Sequence, residues 1–156
     1  MTTISAAHGH FTIERILKAP PSSVFAAWSS KEAKAQWFAG PPDQALSSSR
    51  EMDFRVGGRE RLTTEWKSGL VSAFDCEYRD IIANERIIYC YGMKLNGKAI
   101  SVSLATIQFQ AHGAGTKLIV TEQGVFIDGY DDNGSRERGT NGLMDNLVRV
   151  VDGRII

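Results

Sequence analysis

The chain lacks the sequence features that are typical of secreted, membrane or nucleic-acid-binding proteins. It contains two cysteines in 156 residues, and its first ten residues have neither a basic region nor an apolar core. No apolar run reaches the ~18 residues needed to cross a bilayer. Lys and Arg together number 18, as do Asp and Glu, so the formal net charge is zero. These absences predict a cytoplasmic protein with neither nucleic acid nor a membrane as partner.

The two cysteines, Cys76 and Cys90, have neither CxxC nor metal-type spacing. Both lie in apolar runs typical of strands, which predicts two reduced thiols packed as small hydrophobic side chains. A disulfide between neighbouring strands is the alternative, but no secretory signal supports it.

Recognisable catalytic and cofactor motifs are also absent. The chain has no GxSxG elbow and no GxGxxG, and Gly57-Gly58 lacks the continuation of a phosphate loop. In the acidic loop 128–134, an EF-hand register with Gly134 at its sixth position puts Gly129 and Thr140 where acidic ligands belong, so a turn-rich loop is predicted instead.

The three histidines predict no metal site. His8 and His10 fall in the N-terminal tail and His112 at a turn, without nearby carboxylate partners in the sequence. We therefore expect neither a metal nor a cofactor.

The chain predicts a flexible tail over residues 1–9 and a single domain over residues 10–156. A strand from His10 to Lys18 ends at Pro20-Pro21. Ser22 or Ser23 can then cap a helix with Val24, Phe25 and Trp28 on one face, and a second helical turn spans Lys31 to Gln36.

Residues 50–123 read as six strands separated by turn residues, after a loop from Pro41 to Ser49. Asn96-Gly97 is the strongest tight-hairpin pattern. Short connections predict an antiparallel meander. A closing helix starts at Ser135 or Gly139 and ends at Val151, and it places four apolar side chains at helical spacing: Leu143, Leu147, Val150 and Val151.

Several short motifs follow one another in an order and at a spacing similar to those of one known family. They are Phe11-Thr12-Ile13-Glu14-Arg15 with Ala19-Pro20, Val24-Phe25-Ala26-Ala27-Trp28, Gln36-Trp37-Phe38 with Gly40-Pro41, Val56-Gly57-Gly58, Glu85-Arg86-Ile87-Ile88, Gly115-Thr116-Lys117-Leu118, Thr121-Glu122-Gln123-Gly124 and Gly139…Leu143…Leu147. Over residues 11–151 the chain resembles the START-like (SRPBCC) superfamily, in its branch similar to the C-terminal domain of the activator of the Hsp90 ATPase. Relatives often carry Trp early in the terminal helix, where this chain has Thr140-Asn141.

The resemblance implies an α+β helix-grip (Bet v 1/START-like) fold in the order β-αα-β6-α, an antiparallel sheet curved around a long C-terminal helix. It also implies a cavity between that helix and the sheet. Side chains alternate between the two faces of a strand, and the sequence does not decide which set faces the cavity. The alternation suggests nine lining residues: Trp37, Phe54, Leu62, Trp66, Phe74, Tyr89, Tyr91, Glu122 and Met144. For any one aromatic residue, plain core or surface packing is favoured, whereas for the set as a whole a cavity is favoured.

Glu122 is the acid that we single out, because it is in phase with Leu118 and Val120 in an apolar strand. If that phase faces inward, desolvation raises its pKa and it becomes a candidate general base. The alternative is an ion pair with an arginine such as Arg59 or Arg61.

A cluster that alternates in sign comprises Arg55, Arg59, Glu60, Arg61 and Glu65. We expect a solvated cross-strand charge ladder. The alternative is an arginine that anchors a ligand carboxylate, since a guanidinium can bind both oxygens.

Three functions follow as expectations. The first is binding of a small apolar or amphipathic molecule in the cavity. The second is an enzyme of the cyclase, dehydratase or hydrolase kind that uses Glu122, Tyr89 or Tyr91. The third, a partner of the Hsp90 chaperone, is least expected, because we predict no counterpart of the N-terminal domain that the activators use. A homodimer is left open.

Overall fold

Seven strands and three helices follow one another in the predicted order in the computed structural model, which describes residues 4–153. The elements are β1 (Ala6–Leu17), α1 (Pro21–Ala26), α2 (Lys31–Lys34), β2 (Ala45–Met52), β3 (Arg59–Trp66), β4 (Val71–Ile82), β5 (Arg86–Leu95), β6 (Lys98–His112), β7 (Gly115–Ile127) and α3 (Asn133–Asp152).

The strands form one antiparallel sheet in the order β1-β7-β6-β5-β4-β3-β2. The predicted meander is therefore confirmed from β2 to β7, and β1 adds to the free edge of β7 with Ile13 opposite Val120. Asn96 and Gly97 have φ values of 50° and 81°. Two left-handed residues in a row are what a type I′ hairpin requires, so the predicted tight turn is also confirmed.

The terminal helix α3 covers the inner face of the curved sheet. Met144, Leu147 and Val151 are buried on it, while Leu143 and Val150 are partly buried against the same core. Because a one-sided apolar helix needs an apolar surface to cover, its packing on the sheet gives the predicted helix-grip arrangement.

The segment after β1 folds back under the sheet through two short helices. Pro20 occupies the N-cap position of α1 without a side-chain hydrogen bond, so the predicted serine cap is wrong. The helix starts at Pro21, two or three positions earlier than a serine cap would place it, because Pro21 at its first position needs no amide partner. In α2 the Ser30 hydroxyl does cap the helix, accepting from the Ala33 amide at 3.1 Å.

Two boundaries differ from the prediction because they belong to edge strands. β1 begins at Ala6, so residues 6–9 are paired with β7 rather than part of a flexible tail, and residues 1–3 lie outside the described residues. β2 begins at Ala45, inside the predicted loop. Its serines are largely exposed and pair with β3 only on one side, which explains why an edge strand reads as a polar loop.

Both cysteines are free, but only one is packed as predicted. Cys76 is buried on the inner face of β4, whereas Cys90 is exposed on β5. Strand alternation explains the difference, because Tyr89 and Tyr91 on either side of Cys90 take the inner face. Among the helices of residues 4–153, none is long and apolar enough to span a membrane.

Candidate functional site

A cavity of about 260 Å³ lies between α3, the inner face of the sheet and the segment around Phe38–Gly40. Strands β3, β4, β5 and β7 supply its floor, and α3 supplies one wall. Aromatic and aliphatic side chains make up most of the lining, as is typical of small-molecule sites.

Seven of the nine predicted lining residues surround this cavity. Leu62 and Trp66 come from β3, Phe74 from β4, Tyr89 and Tyr91 from β5, Glu122 from β7 and Met144 from α3. The structure thus decides the strand phase that the sequence left open.

Trp37 and Phe54 do not line the cavity, and for both residues core packing applies. The Trp37 indole packs edge-to-face on Trp28 at 4.6 Å and donates to the Ala27 carbonyl at 2.9 Å. Phe54 packs against Phe25 and Tyr78 at 5.8 and 5.0 Å. Trp28, two residues after the end of α1, lines the cavity instead.

The sequence prediction missed most of the contribution of α3. Arg136, Gly139, Thr140 and Leu143 all line the cavity. Three of the lining residues, Arg136, Thr140 and Met144, are spaced four apart, so stepping back from Met144 along one helix face would have found them.

The cavity wall beside Trp66 depends on a glycine. A Cβ atom built on Gly40 would lie 2.3 Å from Cη2 of Trp66, so only glycine lets the indole pack against this segment. Trp66 is held there by its Nε1, which donates to the Ser72 hydroxyl at 2.9 Å.

Glu122 faces inward and is 5% exposed. The Tyr91 hydroxyl donates a short hydrogen bond to Oε1, and the Thr140 hydroxyl lies 3.4 Å from Oε2. Burial raises the pKa of Glu122, and the contacts with Tyr91, Arg136 and Thr140 oppose that rise only in part. The alternative ion pair of Glu122 with Arg59 or Arg61 is wrong, because both arginines contact Asp75.

Arg136 holds the Tyr91–Glu122 pair in place from α3. Its Nη1 donates to the Tyr91 hydroxyl at 3.0 Å, and its Nη2 donates to Ser101 at 2.8 Å and to Asp131 at 2.9 Å. Burial also raises the pKa of Tyr91, so the phenol stays neutral and keeps its hydrogen for the carboxyl group.

A second buried polar cluster lies beside the aromatic wall. The Lys34 ammonium and the Tyr78 hydroxyl each donate to Oε1 of Glu60 at 2.6 Å, and Nε of Arg50 lies 3.4 Å from Oε2. Desolvation lowers the pKa of Arg50. Lys34 and Glu60 are completely buried.

The predicted charge ladder is therefore right for Arg59 and Arg61 and wrong for Glu60. The two arginines are exposed and reach Asp75 at 2.9 and 3.2 Å. Arg55 pairs with Asp53 on the surface. Alternation along β3 turns Glu60 to the opposite face, where it meets Lys34 instead of solvent.

The histidines and the acidic loop form no metal site in the described part of the chain. Residues 4–153 contain no group of three or more His, Cys, Asp or Glu side chains that could hold a metal ion. Asp132 instead caps α3, accepting from the Ser135 amide at 2.8 Å.

The cavity, the sheet and the helix define a helix-grip protein, and comparison with known families narrows the class further. Residues 18–152 match the family model of the activator of Hsp90 ATPase homolog 1-like proteins, and the chain belongs to that family.

Solved structures agree with this assignment. An uncharacterized protein from Rhizobium leguminosarum is 50% identical, with a TM-score of 0.90 over 96% of this chain and 98% of its own. The Mll3558 protein from Rhizobium loti is 35% identical, with a TM-score of 0.85 over 92% of this chain and 97% of its own. Ara h 8.0201, at 14% identity, a TM-score of 0.68 and coverage of 93% and 98%, shares the fold. A search of curated proteins gave no significant match.

Proposed function

We propose that this protein binds a small, largely apolar or amphipathic molecule in the cavity under α3. The observation that carries the proposal is the composition of the cavity wall, which is mostly aromatic and aliphatic and in which the charged side chains among the described residues are Glu122 and Arg136. The fold family commonly binds ligands, which agrees with this reading. Apolar walls supply the affinity and a few polar groups fix the orientation of a ligand.

The cavity volume limits the size of the ligand. An apolar cavity of about 150 Å³ accommodates benzene, so a cavity of this size suits on the order of ten non-hydrogen atoms, the size of a naphthalene ring system.

Two glycines of α3 provide a matched test. Gly139 lines the cavity and Gly142 does not, and a Cβ atom on either residue meets no other atom within 4 Å. Naphthalene and 2-naphthol binding should be measured by fluorescence titration. We expect saturable binding to the wild type and to Gly142→Leu, and at least a tenfold loss in Gly139→Leu. No saturable binding to the wild type, or equal losses in both variants, would contradict the proposal.

An enzyme is the second candidate, because Glu122 faces the cavity and is protected from solvent. For the hydrolase version, 2-naphthyl acetate is a suitable probe that releases fluorescent 2-naphthol. Wild-type protein should accelerate the release, and Glu122→Gln should abolish the acceleration while keeping the fold. A rate equal to that of the buffer alone would rule out the hydrolase version for this probe.

The remaining expectations from the sequence stay predictions. They are a cytoplasmic location, no cofactor, no nucleic-acid or membrane partner, and an open question of a homodimer.

A further inference from the structure

The charges around the cavity restrict the chemistry of its ligand. Among the described residues that line the cavity, the charged side chains are Glu122 and Arg136. They lie at the same end, joined through the Tyr91 hydroxyl. A polar group of an amphipathic ligand would therefore meet both of them.

Arg136 is a poor anchor for a ligand carboxylate because it already has an anion. Its Nη2 contacts Asp131 at 2.9 Å, and both side chains are mostly buried, with 12% and 18% exposure. Glu122 adds a second carboxyl group to the same cluster. The cluster is therefore neutral when Glu122 carries its proton and negative when it does not, and neither state attracts an anion.

A ligand ammonium is disfavoured for a different reason. The Lys34 ammonium lies 4.6 Å from the ring centroid of Phe38, 5.6 Å from those of Trp28 and Tyr89, and 5.8 Å from that of Phe74. All four rings line the cavity. These rings already interact with the protein's own lysine, so they attract a second cation less than unoccupied rings would.

Glu122 still has an acceptor for a neutral donor. Oε1 takes the short hydrogen bond from Tyr91, whereas the contact recorded for Oε2 is the long one of 3.4 Å from Thr140. A hydroxyl group at this end of the cavity can donate to Oε2 without disturbing the Tyr91–Arg136 contact.

We propose that the ligand is a neutral aromatic or alicyclic alcohol whose hydroxyl group donates to Oε2 of Glu122, rather than a carboxylate or an ammonium compound. This inference rests on the proposed function and specifies the ligand class of the same cavity.

Four probes with one ring system test it: 2-naphthol, naphthalene, 2-naphthoate and 2-naphthylmethylammonium. Their dissociation constants for the wild-type protein at neutral pH should be measured by fluorescence titration. We expect 2-naphthol to bind about twofold to tenfold tighter than naphthalene, the range for one hydrogen bond between neutral groups. The two charged probes should bind more weakly than naphthalene. A charged probe that binds as tightly as 2-naphthol would overturn the proposal.

Variants locate the preference at Glu122. Glu122→Gln should lose most of the preference for 2-naphthol over naphthalene, whereas Glu14→Gln, an exposed carboxylate on the neighbouring strand β1, should keep it. A preference that survives Glu122→Gln would overturn the assignment. The four-probe comparison on the wild type needs no variant, so it decides the ligand class even if Glu122→Gln does not fold.

The outcomes separate the two proposals. If naphthalene binds, and Gly139→Leu blocks it, but 2-naphthol shows no advantage, only the alcohol inference fails. If none of the four probes binds saturably, the cavity is not a ligand site and the proposed function fails with it.

Discussion

The Lys34 ammonium and the Glu60 carboxylate lie 2.6 Å apart in the protein interior, where neither side chain has any exposed surface. Arg50 approaches the other carboxylate oxygen of Glu60, with its Nε at 3.4 Å. One buried anion therefore lies between two cations. Removing the anion and removing one cation have different consequences for this cluster.

Glu60→Gln should destabilise the protein far more than Lys34→Met does. The first variant leaves Lys34 and Arg50 as uncompensated buried cations, for which a loss of about 3–5 kcal/mol is typical. The second leaves the Glu60–Arg50 pair, with a methionine that can pack among the rings around Lys34. Urea unfolding of both variants gives the free energies of unfolding.

Equal losses in the two variants, or a larger loss in Lys34→Met, would contradict this account of the cluster. Arg59→Met serves as a control, because its ion pairs with Asp75 and Glu77 are exposed and such pairs contribute about 0–1 kcal/mol.

The same cluster shows why parts of the site could not be predicted from the sequence. Signs alternate along Arg59-Glu60-Arg61, which favours a surface ladder, yet the period of a strand places Glu60 on the opposite face. Its partner Lys34 comes from a helix 26 positions earlier in the chain. No local pattern specifies a pairing between residues so distant in sequence.

The fold was more predictable because its signals are local. The alternation of apolar and polar residues predicted the inner strands. Asn96-Gly97 predicted the hairpin, which the left-handed φ values of both residues confirm. The predicted strand bounds were wrong at the two edge strands, each of which pairs on one side only. The serines of β2 are the example.

The buried carboxyl group of Glu122 should make the stability of the protein depend on pH. Burial raises its pKa above the ordinary value of 4.5, so the folded protein binds a proton that the unfolded chain has lost. Stability from this group is therefore present below 4.5 and is lost as the pH rises through the folded-state pKa. The glutamine of Glu122→Gln does not titrate, so this variant does not lose stability in this way.

We therefore expect the stability of Glu122→Gln relative to wild type to increase with pH, as measured by urea unfolding between about pH 4 and pH 8. The exposed Glu14→Gln should follow the wild-type curve. If the free energy of unfolding of Glu122→Gln minus that of wild type is constant over this range, or falls with rising pH, Glu122 is not protonated preferentially in the folded state.

The effect of a glycine-to-alanine substitution on stability should depend on the space around each glycine. Gly139→Ala and Gly142→Ala should each stabilise the protein by about 0.5–1 kcal/mol, because an alanine favours the helix and its Cβ meets nothing within 4 Å. Gly115→Ala should destabilise it, since the new Cβ would lie 2.1 Å from the Leu17 carbonyl oxygen. Thermal unfolding of the three variants measures these effects, and a stabilised Gly115→Ala would contradict the close approach of β1 and β7.

The two thiols should differ in reactivity toward a thiol reagent such as Ellman's reagent. Cys76 is buried, and desolvation raises its pKa to about 12, so it has almost no thiolate at neutral pH. Cys90 is exposed on the outer face of the sheet. We expect one thiol to react in the native protein and two in denaturant, and Cys90→Ser should abolish the native reaction. A fast reaction of native Cys90→Ser would mean that the interior beside Glu60 opens to solvent, which would weaken the argument for a sealed charge cluster behind the cavity.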